Sequence, residues 1–213
     1  MARKSYSSQD RQQVRERLLE AGLELASQRG LRHVHLLELT EAAGISKPFF
    51  YSFYPSLEEF FLDMFLLQRQ RLREELKRRM EEDALPWEER VHGIFRMLVF
   101  HRENHVALMT QEDEVAFHRA LTPERLAAFR EGQRAFFREI AAILDLPETV
   151  CDPLVLGNLL LSAVLFRNSA QRSFPFLVQE RVEETAEFQL RMLVCHLSRL
   201  RERGGAPPAA IPQ

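Results

Sequence analysis

Glycine, cysteine and long apolar runs are all scarce in this sequence of 213 residues. The chain has 8 glycines and 2 cysteines, and it shows no alternating apolar pattern long enough to indicate a β-sheet. Its 29 Lys and Arg nearly balance its 31 Asp and Glu, and the resulting net charge of −2 excludes a histone-like basic coat. Hydrophobic residues make up 46% and charged residues 28%, so the composition is that of a folded chain rather than a disordered one.

The most apolar segment, residues 154–166, is too short to cross a membrane, which takes about 20 apolar residues. Because glycine, asparagine and serine interrupt it, it predicts a buried helix. The first 13 residues are polar and contain no secretory signal, so we expect a cytoplasmic protein. Cys151 and Cys195 form no C-x-x-C pair. They are expected to be packed thiols, with a redox sensor as the alternative.

Helical signals run from one end of the chain to the other. Prolines fall between apolar-periodic stretches, and Thr122-Pro123-Glu124 and Asp152-Pro153 each combine a capping residue with a proline at the first helical position. The sequence therefore predicts an all-α protein of about nine helices. One short helix begins after Ser46, and the others are expected near residues 8–28, 36–43, 56–82, 87–102, 106–118, 123–144, 153–171 and 178–203.

A helix-turn-helix pattern lies between Leu36 and Phe53. Two short helices are joined by Ala43-Gly44-Ile45-Ser46, a turn of the length and glycine content that the motif requires. In this motif the second helix enters the DNA major groove. The charge distribution is modestly consistent with DNA binding, because residues 1–55 carry 8 basic and 6 acidic side chains. A basic arm ahead of the first helix could lie on phosphates or in a minor groove, or could be an ordinary solvated terminus.

The first 65 residues resemble the DNA-binding domain of TetR-type transcriptional regulators. The resemblance is carried by spaced apolar and small residues in the first helix, by the turn and by the aromatic cluster after it. These are Leu18-Leu19, Ala21-Gly22, Leu25-Ala26, Gly30, Ala43-Gly44-Ile45-Ser46-Lys47, Phe50-Tyr51, Tyr54 and Pro55-Ser56-Leu57-Glu58-Glu59-Phe60.

Four positions depart from the family pattern. His35 stands where the family often has Thr, Pro48-Phe49 where it has a small pair, Phe53 where it often has His, and Leu57 where it often has Lys. The last change removes a charge that the family commonly places on DNA phosphate. We therefore expect phosphate contacts to shift to Lys47, Tyr51, His35 and the basic arm.

The resemblance implies a set of DNA contacts around the second helix of the motif. Lys47 and Tyr51 are the principal candidates for phosphate contacts, and Phe49 could meet a thymine methyl group. The alternatives are a solvated lysine and a core tyrosine. The full set of expected DNA-binding residues is Arg3, Lys4, His35, Thr40, Ser46, Lys47, Phe49, Tyr51, Ser52 and Tyr54.

The resemblance also implies that the rest of the chain binds an effector and forms a homodimer. The segment 152–171 is apolar around most of its circumference, which indicates burial on several sides, either in a dimer or in an internal core. We expect the dimer to form through residues 152–171 and 178–203. Candidate ligand contacts are His101, Arg102, His105, His118, Asn158 and Arg167, although each could equally be a core, dimer or surface residue.

No enzyme signature accompanies these features. The segment His101-Arg102-Glu103-Asn104-His105 lacks the glutamate directly after the first histidine that zinc proteases need, and no catalytic residue, metal or cofactor is expected. We predict a DNA-binding domain at 1–55, an effector-binding and dimerisation domain at 56–203 and a disordered tail at 204–213. The protein is predicted to be a dimeric regulator of transcription that binds a palindromic DNA site. It is expected to act as a repressor that a small molecule releases from DNA. The alternative is a helical adaptor without specific DNA binding.

Overall fold

The computed structural model describes residues 7–82, 84–100, 111–169 and 178–204. These residues form nine α-helices and no strand, which confirms the predicted all-α class. The helices are α1 Ser8–Arg29, α2 Leu36–Ala42, α3 Lys47–Phe50, α4 Leu57–Met80, α5 Trp87–Phe100, α6 Gln111–Ala120, α7 Pro123–Ile143, α8 Pro153–Ser169 and α9 Val182–Glu202. Short 3-10 turns lie at Leu31–His33 and Gln179–Arg181. None of the described helices is long and apolar enough to cross a membrane.

Local signals place most of the helix ends. Ser7 caps α1, because its hydroxyl accepts from the backbone N–H of Asp10 while the Asp10 carboxylate accepts from the Ser7 backbone. Pro123 and Pro153 open α7 and α8 as predicted. The last helix begins later than expected, since a 3-10 turn precedes it.

The described chain divides into two compact units. The first takes residues 7–71 and 111–130, and the second takes residues 72–82, 84–100, 131–169 and 178–204. Phe60, Phe61 and Phe65 of α4, which lie after the predicted boundary at residue 55, share the hydrophobic core of α1, α2 and α3. The predicted tail beyond Gly204 lies outside the described residues.

Each unit has its own core. In the first unit, Leu18, Leu39 and Phe50 are fully buried and join the apolar faces of α1, α2 and α3. In the second, Ile94 of α5, Leu156 of α8 and Leu190 of α9 form the centre of the packing. Burial of these apolar faces is the main force that holds short helices such as α2 and α3, which would be unstable alone.

Candidate nucleic-acid interface

The turn between α2 and α3 is shaped by a glycine and a serine. Gly44 adopts φ of +67°, a left-handed conformation that glycine accepts without steric cost. The Ser46 hydroxyl accepts a hydrogen bond from the Phe49 backbone N–H at 3.4 Å, which caps α3. Pro48 follows in the first turn, where its missing N–H leaves no bond unmade. The turn therefore has the geometry that a helix-turn-helix motif requires.

Aromatic packing fixes which face of α3 points inward. Phe50 is fully buried, and its ring centroid lies 5.5 Å from that of Tyr54 and 5.8 Å from that of Phe60. Phe60 is also fully buried. Phe50 is therefore the inward-facing residue of α3, whereas Lys47 and Pro48 are exposed and Phe49 is half-buried.

The outward face of α3 carries several of the predicted DNA contacts. The Lys47 side chain is exposed and forms no hydrogen bond or ion pair with any described residue. Tyr51, one turn further on, is 55% exposed. Ser52 is exposed, and its hydroxyl donates to the Phe49 carbonyl at 2.7 Å. Lys47 and Tyr51 share one face through their i, i+4 spacing, so a cation and a phenol project side by side.

The remaining predicted contacts near this face are of mixed accessibility. Ser46 is exposed beside Lys47. His35 is exposed at the start of α2, where its side chain makes no capping hydrogen bond. Phe49 is half-buried and packs edge-on against Phe53, with ring centroids 5.2 Å apart. Ser46 and His35 can therefore reach a partner, whereas Phe49 presents only part of its ring.

Two residues predicted to bind DNA lie inside the unit. Thr40 is 2% exposed, and its hydroxyl donates to the Leu37 carbonyl at 3.0 Å. Tyr54 is 6% exposed, and its hydroxyl donates to Asp63 Oδ2 at 2.8 Å. The pKa of Tyr54 is raised well above its usual range. Burial is the larger cause, and the hydrogen bond to the Asp63 carboxylate is the second. This geometry corrects the prediction for both residues, because neither hydroxyl faces the surface.

Arg11 of α1 reaches the turn that follows α3. Its guanidinium carbon lies 4.4 Å from the Phe53 ring centroid and 5.9 Å from that of Phe49, and Nη2 donates to the Ser52 carbonyl at 3.0 Å. Arg11 was not among the predicted DNA contacts. The sequence signal for this contact was Phe53, which stands where the family pattern often has His, because a partly exposed aromatic ring attracts a cation.

Arg3 and Lys4, the predicted basic arm, lie outside the described residues. So do three of the six candidate ligand contacts, His101, Arg102 and His105.

The other three candidate ligand contacts are dispersed. His118 belongs to the first unit and is exposed, with Nε2 at 2.7 Å from Arg130 Nη2. Asn158 and Arg167 belong to the second unit, where Asn158 is exposed on α8. The Arg167 side chain is only 14% exposed and contacts Glu183 Oε1 at 3.6 Å. Among the residues that the structure describes, no group of three or more His, Cys, Asp and Glu is arranged to hold a metal ion.

Known proteins resemble this chain in sequence pattern and in fold. Residues 18–64 match the sequence pattern of the bacterial regulatory proteins of the tetR family. The chain resembles the reduced form of NemR from E. coli at 20% identity and a TM-score of 0.54, over 87% of this chain and 96% of that one. A TetR-like transcriptional regulator from Rhodococcus sp. RHA1 is 17% identical, with a TM-score of 0.44, over 90% of this chain and 96% of that one. No curated protein sequence matches the chain significantly.

Proposed function

We propose that the chain is a dimeric, sequence-specific DNA-binding regulator of transcription. The proposal starts from the match of residues 18–64 to the tetR family of bacterial regulatory proteins. The observation that carries the proposal is α3, which we assign as the recognition helix. Its inward face is held by the fully buried Phe50, and its outward face presents Lys47 and Tyr51. An ammonium group and a phenol hydroxyl are both suited to phosphate oxygens.

The capped start of α3 supports groove entry. Residues in the first turn of a recognition helix contact base edges, and here these are Lys47, Pro48 and Phe49. Lys47 can also donate to a guanine edge, and the exposed part of Phe49 can meet a thymine methyl group. Proline and phenylalanine make apolar contacts in place of the hydrogen bonds of smaller polar residues. The operator is therefore expected to differ from those read by relatives with a small pair at these positions.

Two apolar faces in the second unit support a homodimer. In α8, Val155 is 51%, Leu159 43% and Leu165 53% exposed, and in α9 Phe188 is 63% and Met192 58% exposed. Surface apolar residues concentrated on neighbouring helices are typical of an interface rather than of a solvated surface. If these faces packed against a second copy, the two recognition helices would be related by a two-fold axis, as a palindromic operator requires.

Control by a small molecule completes the proposal. An effector releases the protein from DNA only if it binds the DNA-free conformation more tightly than the DNA-bound one. α4 and α7 each contribute residues to both compact units, which makes them the candidate elements for transmitting such a preference. A repressor of this kind acts in the cytoplasm, where the DNA lies.

The test is a salt titration of binding to DNA flanking the protein's own gene. The proposal expects nanomolar affinity, a defined footprint and a steep fall of affinity with salt, since each phosphate contact contributes about −0.9 to the logarithmic slope. Weak binding of equal strength to unrelated DNA would instead support a helical adaptor that acts through protein partners. Sedimentation of Phe188→Glu should show monomers where the wild type is a dimer, whereas exposed Glu180→Gln in the same unit should leave the dimer intact.

A further inference from the structure

Arg69 occupies an unusual position on α4. It is only 9% exposed, although arginine is among the residues least often buried without a partner. Its guanidinium carbon lies 4.7 Å from the ring centroid of Phe129 on α7. Burial lowers the pKa of Arg69 from its usual value, which means that the surroundings disfavour the charged form. Arginine nevertheless stays charged at neutral pH.

The other arginines of α4 all have carboxylate partners. Arg71 pairs with Glu20, Arg73 with Glu139 at 3.1 Å, and Arg78 and Arg79 both pair with Glu75 at 2.7 Å. Those four are more exposed than Arg69, and so need a counter-ion less.

Arg69 itself forms no hydrogen bond or ion pair with any residue in the described ranges. Its described contact is the phenyl ring of Phe129. A cation taken out of water without a carboxylate or full hydrogen bonding is destabilising, and a ring face compensates only part of that loss. Among the described arginines of α4, the buried one is therefore the one without a carboxylate partner in the described part of the chain.

The phenyl ring beside this cation belongs to an aromatic cluster. Phe129 lies 5.7 Å from Phe65 and 6.1 Å from Phe117 between ring centroids, and Phe117 lies 6.4 Å from Phe61 in a stacked arrangement. Phe129 is half-buried, so part of its ring remains accessible. A guanidinium beside such a cluster matches a ligand with one carboxylate and one flat apolar ring. The carboxylate can accept two parallel N–H bonds, and the ring can pack against phenyl edges.

We propose that Arg69 is the anion-binding residue of a ligand site between α4 and α7 that takes a small aromatic carboxylate. The inference rests on the proposed function and gives the effector a chemical class. Arg69 and Phe129 belong to the same compact unit as the recognition helix. A ligand that pairs with Arg69 therefore acts on the packing of the unit that reads DNA.

The test is calorimetric titration of the full-length protein with benzoate and with benzamide, which has the same ring but no charge. Wild type should bind benzoate saturably. It should bind benzamide at least about tenfold more weakly, because benzamide cannot form the charge-assisted hydrogen bonds that a carboxylate forms with Arg69. Arg69→Gln should weaken benzoate binding by a similar factor. Arg119→Gln, at an exposed arginine of α6, should leave it unchanged. Equal benzoate binding by Arg69→Gln, or no benzoate binding by wild type, would overturn the proposal.

A second variant separates binding from folding. Arg69→Met removes the charge and keeps an apolar stem, so without benzoate it should melt at or above the wild-type temperature. A lower melting temperature would mean that the cation stabilises the fold itself, which would overturn the ligand role.

DNA binding distinguishes the failure of this inference from that of the proposed function. If wild type binds its operator but benzoate neither binds nor releases it, the ligand site is refuted and the regulator is not. If benzoate binds through Arg69 while no DNA fragment binds specifically, the site stands and the regulator is refuted.

Discussion

Tyr51 and Tyr54 allow a reciprocal test of the candidate interface, because they lie three residues apart and face opposite ways. Tyr51 is 55% exposed, whereas Tyr54 is 6% exposed. We expect Tyr54→Phe to lower the stability of the protein and leave its DNA contacts in place. We expect Tyr51→Phe to weaken DNA binding and leave stability unchanged. Each substitution removes one hydroxyl and keeps the ring, so each serves as the control for the other.

The magnitude for Tyr54 follows from its hydrogen bond to Asp63 Oδ2 at 2.8 Å. A hydrogen bond to a charged group contributes about 1.5–3 kcal/mol. Asp63 keeps its ion pair with Arg15 at 2.6 Å, and its side chain is 21% exposed, so water can replace part of the lost bond. We therefore expect about 1–2 kcal/mol, which in a chain of this size lowers the melting temperature by roughly 2–8 °C.

The magnitude for Tyr51 follows from its exposure. Its hydroxyl forms no hydrogen bond with a described residue, so Tyr51→Phe should change the free energy of unfolding by less than about 0.5 kcal/mol. Phosphate is charged, so loss of one hydrogen bond to it costs about 1.5–3 kcal/mol, which is roughly a 10- to 150-fold rise in Kd for each half-site. Thermal unfolding and DNA titration at one fixed salt concentration measure both effects. A Tyr54→Phe protein that melts normally but loses DNA affinity would refute the placement of these two side chains.

Further predictions concern charge, space and pH. Lys47→Ala should reduce the logarithmic salt slope of DNA binding by about 0.9 for each subunit; an unchanged slope would exclude a phosphate contact. Gly22→Ala should destabilise the protein by about 1–2 kcal/mol in urea unfolding, because the overpacking cost exceeds the gain in helix propensity. Its added Cβ would lie 2.5 Å from a fully buried phenyl ring. Gly93→Ala, which meets nothing within 4 Å, should instead be neutral or stabilising, and destabilisation of both would point to a backbone effect. A hydrogen bond from Arg78 lowers the pKa of Glu75 to about 2, so its stabilising contribution is present above the ordinary value of 4.5 and is lost as pH falls toward 2. Glu75→Gln should flatten acid unfolding over that range, by a small amount because the group is partly exposed, and an identical acid profile would contradict the pairing.

The helices of this protein could be predicted with small errors because their signals are local. Ser46 and Pro48 specify the start of α3 within the chain itself, and Pro123 and Pro153 do the same for α7 and α8. The start of α9 was predicted too early, since the turn at Gln179–Arg181 has no comparably distinct residue signal.

The candidate interface was predicted only in part. Lys47 and Tyr51 are exposed as expected, and Thr40 and Tyr54 are not. The TetR-type motif specifies residue types in and around α3, but it does not determine which of them are buried by the neighbouring helices. Tyr54 is covered because α1 and α4 bring Arg15 and Asp63 to its hydroxyl from residues far along the chain.

The sequence by itself determined the helical class, the turn at Gly44 and the match of residues 18–64 to the tetR pattern, because these depend on residues within a few turns of one another. Tertiary structure alone decided the partners of the charged and aromatic side chains. It placed Arg11 on Phe53, and it left Arg69 buried beside Phe129 without a carboxylate among the described residues. The physical reason is that burial and charge pairing depend on which distant helices pack together. That packing depends on the whole core and not on any short motif.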